Sequence, residues 1–340
     1  MSNYDAEFTA LSGADWDDVL LSFDDACIEQ SFEYTAARAG AKRLRHHIVR
    51  RDGEIVAATQ VVVIDPRLFP GGVAFVKFGP LWRSHDRAPD ADDLNAAARL
   101  LHDELVVRRG LTLRLMPPAS PGQAANIEQA LTAAQFARTP VNDAERYFVD
   151  LAKPPAQLRN QLKSKWRYNL KRAEQRDLTV TRSTDVRDLE TFCGLYKLMR
   201  SRKGFDEGPA PKKLPALFAD LPPSTMPQIF LCRHGDDAVS GAVIATLGDT
   251  AVYLFGASSA EGAALGAGYH LHWQAIQWLQ TTGCRWYDLG GDCDDTGLRQ
   301  FKSGLIGRAG AKPELPGYFD AQGSWPSRVA GRLAFGLRNR

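Results

Sequence analysis

Residues 43–51 (RLRHHIVRR) and 54–64 (EIVAATQVVVI) alternate apolar and polar positions around Asp52-Gly53. Period-two alternation on both sides of an Asp-Gly dipeptide predicts a β-hairpin. Residues 228–234 (QIFLCRH) and 238–248 (AVSGAVIATLG) repeat the arrangement around Gly235-Asp236-Asp237. A further strand follows each hairpin: GGVAFVKFGPLW in the first half and TAVYLFGASS in the second. An amphipathic helix comes next, over 91–109 and over 268–283, the latter stopped by Gly283. A strand then closes each series, LTLRLMP at 111–117 and RWYDLGG at 285–291. Upstream, a short strand precedes helices over 15–26 and 30–40. Helix 126–136 and strand 146–151 complete the first half. Lys153-Pro154-Pro155 interrupts the pattern and sets a domain junction at 153/154. Beyond it come a basic helical stretch, strand 178–183, helix 185–203 and a Pro- and Gly-rich loop over 204–215. The shared order is a repeat of elements rather than of residues. It predicts a mixed α/β chain of two similar domains. Recurring hairpins, and no G-x-G-x-x-G after a strand, argue against a doubly wound nucleotide fold.

Composition changes little in this picture. The chain has 340 residues, 44% hydrophobic and 24% charged, with a formal net charge of +2, so the total gives no sign of general nucleic-acid binding. Cys27, Cys193, Cys232, Cys284 and Cys293 contain no C-x-x-C pair and read as reduced thiols. The opening MSNYDAEFTALSGADWDD is acidic and has no apolar signal core. No run approaches the ~20 apolar residues of a membrane span. The expected address is the cytoplasm, or the inner face of a membrane without insertion.

Several chemistries lack their motifs. None of the seven histidines has metal-ligand spacing. There is no G-x-S-x-G elbow and no G-x-x-x-x-G-K-[ST] loop. The glycine-rich acyl-CoA loop has its nearest counterpart in ALGAGYHL at 264–271, which lacks a leading Arg or Gln. No metal and no cofactor is therefore expected.

Charge is concentrated in one place. Residues 159–176 hold Arg159, Lys163, Lys165, Arg167, Lys171, Arg172 and Arg176 against Glu174 alone. On one continuous helix, 163, 167 and 171 share a side, and 165, 172 and 176 share another. Such a run is either a solvated surface or a site for a phosphate-bearing partner. Trp166 and Tyr168 interleave with it, to stack on a base or to anchor the helix in the core.

The chain resembles the Fem-type aminoacyltransferases, which move an amino acid from aminoacyl-tRNA onto the stem peptide of a peptidoglycan precursor. The clearest match is 158–205, LRNQLKSKWRYNLKRAEQRDLTVTRSTDVRDLETFCGLYKLMRSRKGF, a basic helix, a strand and a helix ending R-x-G-F. The second is WYDLGG followed by GLRQFKSG. FVKFGPLW resembles a family turn that usually carries arginine, with Lys77 and Phe78 in that region. QSFEYTAAR resembles Q-S-x-x-W-x-x-x-K, with Tyr34 for tryptophan and Arg38 for lysine. The resemblance implies an α/β (α+β) chain of two tandem domains of the Gcn5-related acetyltransferase (GNAT) fold, with mixed sheets flanked by helices and no coiled-coil arm. The implied division is 1–153, completed by 317–340, and 154–316.

The resemblance also implies roles. Lys302 would support the oxyanion formed when an amine attacks the donor ester, and Phe301 would pack the donor's terminal adenosine. Arg38 and Arg202 would meet a precursor diphosphate, with Lys77 and Tyr253 as further acceptor contacts. Lys163, Lys165, Arg167, Lys171 and Arg172 would bind tRNA phosphates. Asp288, Gly290 and Gly291 would shape the strand end at the cleft, with Asp292–Asp295 a polar loop capping the helix of Phe301 and Lys302. The implied partners of a monomeric enzyme are aminoacyl-tRNA as donor co-substrate and a UDP- or lipid-linked muropeptide or other peptide as acceptor. Acyl-CoA-dependent N-acyltransferases acting on sugars or small amines share the paired fold and remain the alternative. A non-catalytic phosphate- or RNA-binding module is a third.

Overall fold

A computed structural model describes residues 3–65, 71–118, 121–139, 145–204, 210–291, 295–308, 310–313 and 316–336. The first elements are β1 (Tyr4–Thr9), α1 (Gly13–Leu20), α2 (Phe32–Ala39), β2 (Leu44–Arg51), β3 (Glu54–Ile64) and β4 (Val73–Lys77). Next come α3 (Ala91–His102), widened to a π-helix over Asp103–Arg108, then β5 (Thr112–Met116), α4 (Ala124–Ala133) and β6 (Ala137–Thr139). The second series is β7 (Arg146–Asp150), α5 (Pro155–Gln161), α6 (Ser164–Glu174), β8 (Thr179–Ser183), α7 (Val186–Lys203) and α8 (Ala210–Asp220). It continues with β9 (Gln228–His234), β10 (Asp237–Ala245), β11 (Thr250–Ser258), α9 (Ala260–Leu265), α10 (Ala267–Leu279), β12 (Trp286–Gly291) and α11 (Thr296–Ile306). The chain then adds β13 (Tyr318–Ala321) and α12 (Trp325–Gly336).

Two compact units result, Met1–Ala144 with Pro313–Arg340, and Glu145–Lys312. The sequence set the first junction nine residues later, at Lys153-Pro154. Strand pairing explains the difference: Arg146–Asp150 pairs with β12, which fixes it in the second unit. Each unit is built on its own sheet, ordered β1-β2-β3-β4-β5-β13-β6 in the first and β7-β12-β11-β10-β9-β8 in the second. Over six positions the two agree, and β6 is an extra edge strand of the first. Four antiparallel neighbours end in β4 or β11, which pairs in parallel with β5 or β12 after a helical crossover. The antiparallel strand beyond is β13 in one unit and β7 in the other. The element repeat in the sequence is thus a repeat of sheet order.

Each sheet packs against its crossover helix. Leu94, Ala97, Ala98 and Leu101 of α3 sit on Val56, Val61, Ala74 and Leu113 in one core. Leu271, Ala275, Ile276 and Leu279 of α10 sit on Phe230, Ala242, Ile244 and Tyr287 in the other. Steps of three and four residues recur in both helices and let each bury one face, and each full side chain adds ~1.5–3 kcal/mol.

Three further local expectations change. The basic stretch is two helices, because Leu162 and Lys163 take extended ψ values of 143° and 146°. Buried Leu162 enters the core there, and the Lys163 N–H goes to Gly304 O at 3.1 Å. Part of the expected loop 204–215 is helical from Ala210, because Leu214, Leu217, Phe218 and Leu221 bury one face around Pro215. The first helix stops at Leu20 rather than at Ala26. Past it, the buried Asp25 carboxylate accepts the N–H groups of Trp82 and Arg83.

Candidate functional site

In the second unit the parallel pair opens into a fork. β11 and β12 are matched at Thr250↔Trp286, Ala251↔Tyr287 and Val252↔Asp288, and then separate. β11 stays on β10 as far as Ser258, while β12 stays on β7 as far as Gly291. A register shift at Val243/Ile244 pairs those residues with Phe255 and Tyr253, so Leu254 is the extra residue of a bulge. A bulge re-aims the side chains beside it. Parting strands at their carboxyl ends leave the room where open α/β sheets take ligands.

The β12 arm of the fork is held by Asp288. Its Oδ2 accepts two bonds from Arg146 at 2.9 and 2.7 Å, and its Oδ1 accepts the Gly290 N–H at 2.8 Å. Gly290 has φ +82°, a conformation that glycine adopts without penalty. The turn delivers the Gly291 carbonyl to Lys302, whose Nζ donates to it at 2.8 Å. Asp295 caps α11 by accepting the Leu298 N–H at 3.0 Å, so the helix that carries Lys302 starts where it should. Residues 292–294 of the polar loop lie outside the described residues.

Lys302 is 7% exposed and Phe301 only partly buried, the reverse of an ordinary amphipathic pair. Phe301 stands among Trp166, Tyr269 and His272, with ring centroids 5.7, 5.2 and 5.2 Å away. Tyr253 meets His272 edge-on at 4.8 Å, and Tyr287 Oη lies 3.0 Å from His272 Nδ1. Burial pulls His272 down to about 3, helped by the nearby Lys302 charge, so the imidazole is neutral at pH 7. Burial raises Tyr253 and Tyr287, which keep their phenolic protons. The lysine therefore brings a cation to a wall of neutral aromatic groups. Gly256 lies against Tyr253: a Cβ there would fall 1.5 Å from the hydroxyl. Arg202 borders the same strand, donating to Ser258 O at 3.1 Å.

The basic stretch adjoins this site through Lys163, whose Nζ donates to Ser303 Oγ of α11 at 2.6 Å. Its cations are less free than the sequence implied. Arg159 forks onto Glu174 at 2.7 and 2.5 Å, Arg167 bonds Asn160 O, and Arg176 bonds Ala264 O. Lys165, Lys171 and Arg172 are exposed, Arg172 lying 5.7 Å from the exposed Tyr168 ring. Trp166 is 3% exposed and packs on α10 and α11, which makes it a core residue.

Arg38 and Lys77 belong to the first unit. The Arg38 guanidinium sits 3.5 Å from the Tyr34 ring centroid and donates to Tyr34 O at 3.1 Å. Lys77 pairs with the mostly buried Glu29 at 3.5 Å. Gln30, in the Q-S motif, is structural: its Nε2 donates to Lys77 O at 2.7 Å, and its Oε1 accepts the Gln60 N–H at 2.8 Å. The structure thus gathers Lys302, Phe301, Tyr253, Asp288, Gly290 and Gly291 at one fork, with Arg202 of α7 beside the end of β11. Sequence reasoning missed Arg146, Tyr269, His272 and Tyr287. Tyr269 and His272 are three apart on α10 and share a face, a signal that was readable; Arg146 and Asp288 are 142 positions apart and gave none.

Comparison with known proteins follows this geometry. The model of the acetyltransferase (GNAT) domain family matches residues 157–303, within the second unit. FemX superposes with a TM-score of 0.79 at 17% identity, covering 96% of this chain and 99% of FemX. The chain has the Fem-type GNAT fold. L-PGS from Bacillus licheniformis is similar at a TM-score of 0.58 and 13% identity, over 98% of this chain and 99% of that one. The C-terminal DUF2156 domain of an Agrobacterium fabrum protein, assigned as a lysylphosphatidylglycerol synthetase, gives 0.58 and 16% over 96% and 98%. No curated protein matches the chain in sequence. The expectation of two tandem GNAT-like domains therefore holds, and the Fem-type fold joins an acetyltransferase-family segment to the fork described above.

Proposed function

We propose that this Fem-type chain is an acyltransferase that moves an aminoacyl group from aminoacyl-tRNA to an amine of a peptidoglycan stem peptide or related peptide. The observation that carries the proposal is the buried Lys302 ammonium at the β11–β12 fork, set beside Phe301 and fixed on the Gly291 carbonyl. In this reaction the neutral acceptor amine forms a C–N bond to the ester carbonyl. The tetrahedral intermediate carries an oxyanion, which a preorganised cation in a dry pocket stabilises. The C–O bond to the terminal ribose then breaks, and the hydroxyl leaves with the proton released by the amine. Lys302 stays protonated and acts by charge. Phe301 would pack the donor's terminal nucleoside, for which the aromatic wall of Trp166 and Tyr269 gives rigid support. Exposed Lys165, Lys171 and Arg172 are the proposed tRNA phosphate contacts, with Lys163 and Arg167 beside them. Arg202 and Tyr253 of the second unit, and Arg38 and Lys77 of the first, are the proposed acceptor contacts. FemX and the two synthetase-named structures are consistent with this reading at the level of fold.

A second reading has its own support. The open parallel pair, followed by Gly266 at φ +71° and the N-terminus of α10, is a shape able to admit an acyl-CoA arm, and the matched family is named for acetyl transfer. A donor screen separates the two. The purified protein is offered a pool of aminoacyl-tRNAs or a panel of acyl-CoAs, together with UDP-linked and lipid-linked muropeptides, and products are weighed by mass spectrometry. Transfer from aminoacyl-tRNA is the expected result. Products from acyl-CoA alone would replace this reading with the second, and binding of RNA without turnover would reduce the chain to a binding module.

A further inference from the structure

The last helix of the first unit has a face the transfer chemistry does not use. Ser327, Gly331 and Phe335 of α12 are its inward side. Ser327 Oγ accepts the Gly72 N–H at 3.1 Å, and a Cβ on Gly331 would stand 2.9 Å from Thr112 Cγ2, so the helix is seated closely on its sheet. The opposite side is therefore held rigidly outward. Trp325 is 73% exposed and Leu333 65%, two of the largest exposures among the large apolar side chains described. At 100° per residue Trp325, Arg328, Val329, Arg332 and Leu333 fall on one face, with the arginines on one flank and Val329 and Leu333 on the other.

Charge identifies the occupant. After Asp320 the sequence has Arg328, Arg332, Arg338 and Arg340 and no acidic residue. Beside the helix a cavity of about 440 Å³ is lined by Arg114, Arg328 and Arg332 with Asp320 as the acid. Arg114 is taken up by Asp320 at 2.6 and 2.7 Å, which leaves Arg328 and Arg332 as excess positive charge at the rim. A tryptophan and aliphatic groups next to arginines, on a helix too short and polar to cross a bilayer, is the composition of an interfacial anchor.

We propose that α12 docks the protein on anionic lipid bilayers, with Trp325, Val329 and Leu333 entering the headgroup boundary and Arg328 and Arg332 meeting lipid phosphates. This surface is independent of the transferase reading and is tested apart from it. The full chain is sedimented with phosphatidylcholine vesicles with or without about 30 mol% phosphatidylglycerol, at low and high salt. Binding is expected to need the anionic lipid and to weaken with salt. Trp325→Ser with Leu333→Ser should lower the partition coefficient about tenfold or more. Arg332→Glu should lower it by about 25-fold, since each unit of charge near the surface contributes roughly fivefold and the reversal changes two. Bromolipids should quench the wild type more than Trp325→Phe, a readout that does not depend on the other variants folding. Turnover on a water-soluble acceptor should be unchanged in all of them. Equal binding to neutral and anionic vesicles, wild-type binding by the variants, equal quenching, capture of RNA in place of vesicles, or dimerisation lost in Leu333→Glu would each overturn the proposal.

Discussion

β4–β5 and β11–β12 hold the same place in two sheets of matching order, each a parallel pair joined by a helical crossover. β4 is paired along all five residues, from Val73↔Thr112 to Lys77↔Met116, and the Phe78 N–H extends the match to Met116 O. β11 is paired for three residues and then leaves its partner. What fills the closed pair is structural: Gln30 caps Lys77 O, and α12 lies over β4 and β5. What stands at the open pair is a glycine turn, a buried lysine and an aromatic wall. Of two parallel pairs at the same place in a repeated sheet order, one is zipped and the other is open, and the open one is where the proposed chemistry is placed. This difference, rather than the fold shared by both, directs attention to Lys302.

The largest effect should come from the open pair. Lys302→Met should lower kcat by about 10²–10³, the range seen when one oxyanion donor is removed. Lys77→Met at the end of the closed pair should act mainly on acceptor KM. Steady-state kinetics on both variants checks this, and similar kcat losses would erase the distinction between the two units.

The next effect belongs to the closed unit. Gln60 Nε2 donates to Gln30 O and Ser31 O at 3.1 and 3.2 Å, and its Oε1 lies 3.2 Å from His46 Nε2. Gln60→Leu strands those buried groups and should cost about 2–4 kcal/mol of stability in urea denaturation. Turnover per folded molecule should hardly change.

Acid sensitivity should lie in both units, through His272 in the second and through His46 and His47 in the first unit's sheet. Burial lowers His47 from 6.5 to about 4, and neither ring nitrogen has a partner. As pH falls below 6.5 the unfolded chain takes up this proton while the folded chain resists until about 4. His47 therefore contributes stability above pH 6.5 that is lost progressively toward pH 4. His47→Phe should remove up to about 3 kcal/mol of that loss. Buried Asp25, raised to about 6, has the opposite sign, costing stability as pH rises from 3.8 to 6, and it cancels when variant and wild type are compared. Melting curves from pH 4 to 7 that remain parallel would refute this assignment.

The smallest effect should be Glu174→Gln. It breaks the Arg159 fork on the helix surface, a part-exposed pair worth less than about 1 kcal/mol, and it frees one cation for phosphate. RNA affinity at low salt should rise slightly.

Much of this was readable before the structure. Alternation around Asp52-Gly53 and Gly235-Asp236-Asp237 gave both hairpins, because a local turn sets their register. The repeat of elements gave two sheets of one order. Asp295 as a cap followed from its position in the pattern, and the core role of Trp166 was one of the two the pattern offered. What stayed hidden depends on distant partners. β6 is three residues long and pairs with β13, a strand almost 180 residues later that no local pattern specified. The break after Leu162 goes with the Lys163 N–H bonding Gly304 O, 141 positions away. The fork is invisible in sequence because strand propensity continues through Tyr253–Ser258, and only the missing partner distinguishes that arm. Burial of Lys302, by contrast, had a signal in its own helix, where Leu298, Phe301, Leu305 and Ile306 lie at spacings that put position 302 on the apolar face.

The central claim is that the donor's reacting end lies in the fork of the second unit. A photoreactive analogue of aminoacyl-adenosine, cross-linked to the protein and mapped by peptide mass spectrometry, tests it most directly. The account predicts labelling within 253–256, 289–291 and 301–302, retained in Lys302→Met because charge support and donor packing are separate roles. Labelling of β4, β5 or the Gln30–Gln60 region instead, with the fork untouched, would contradict it.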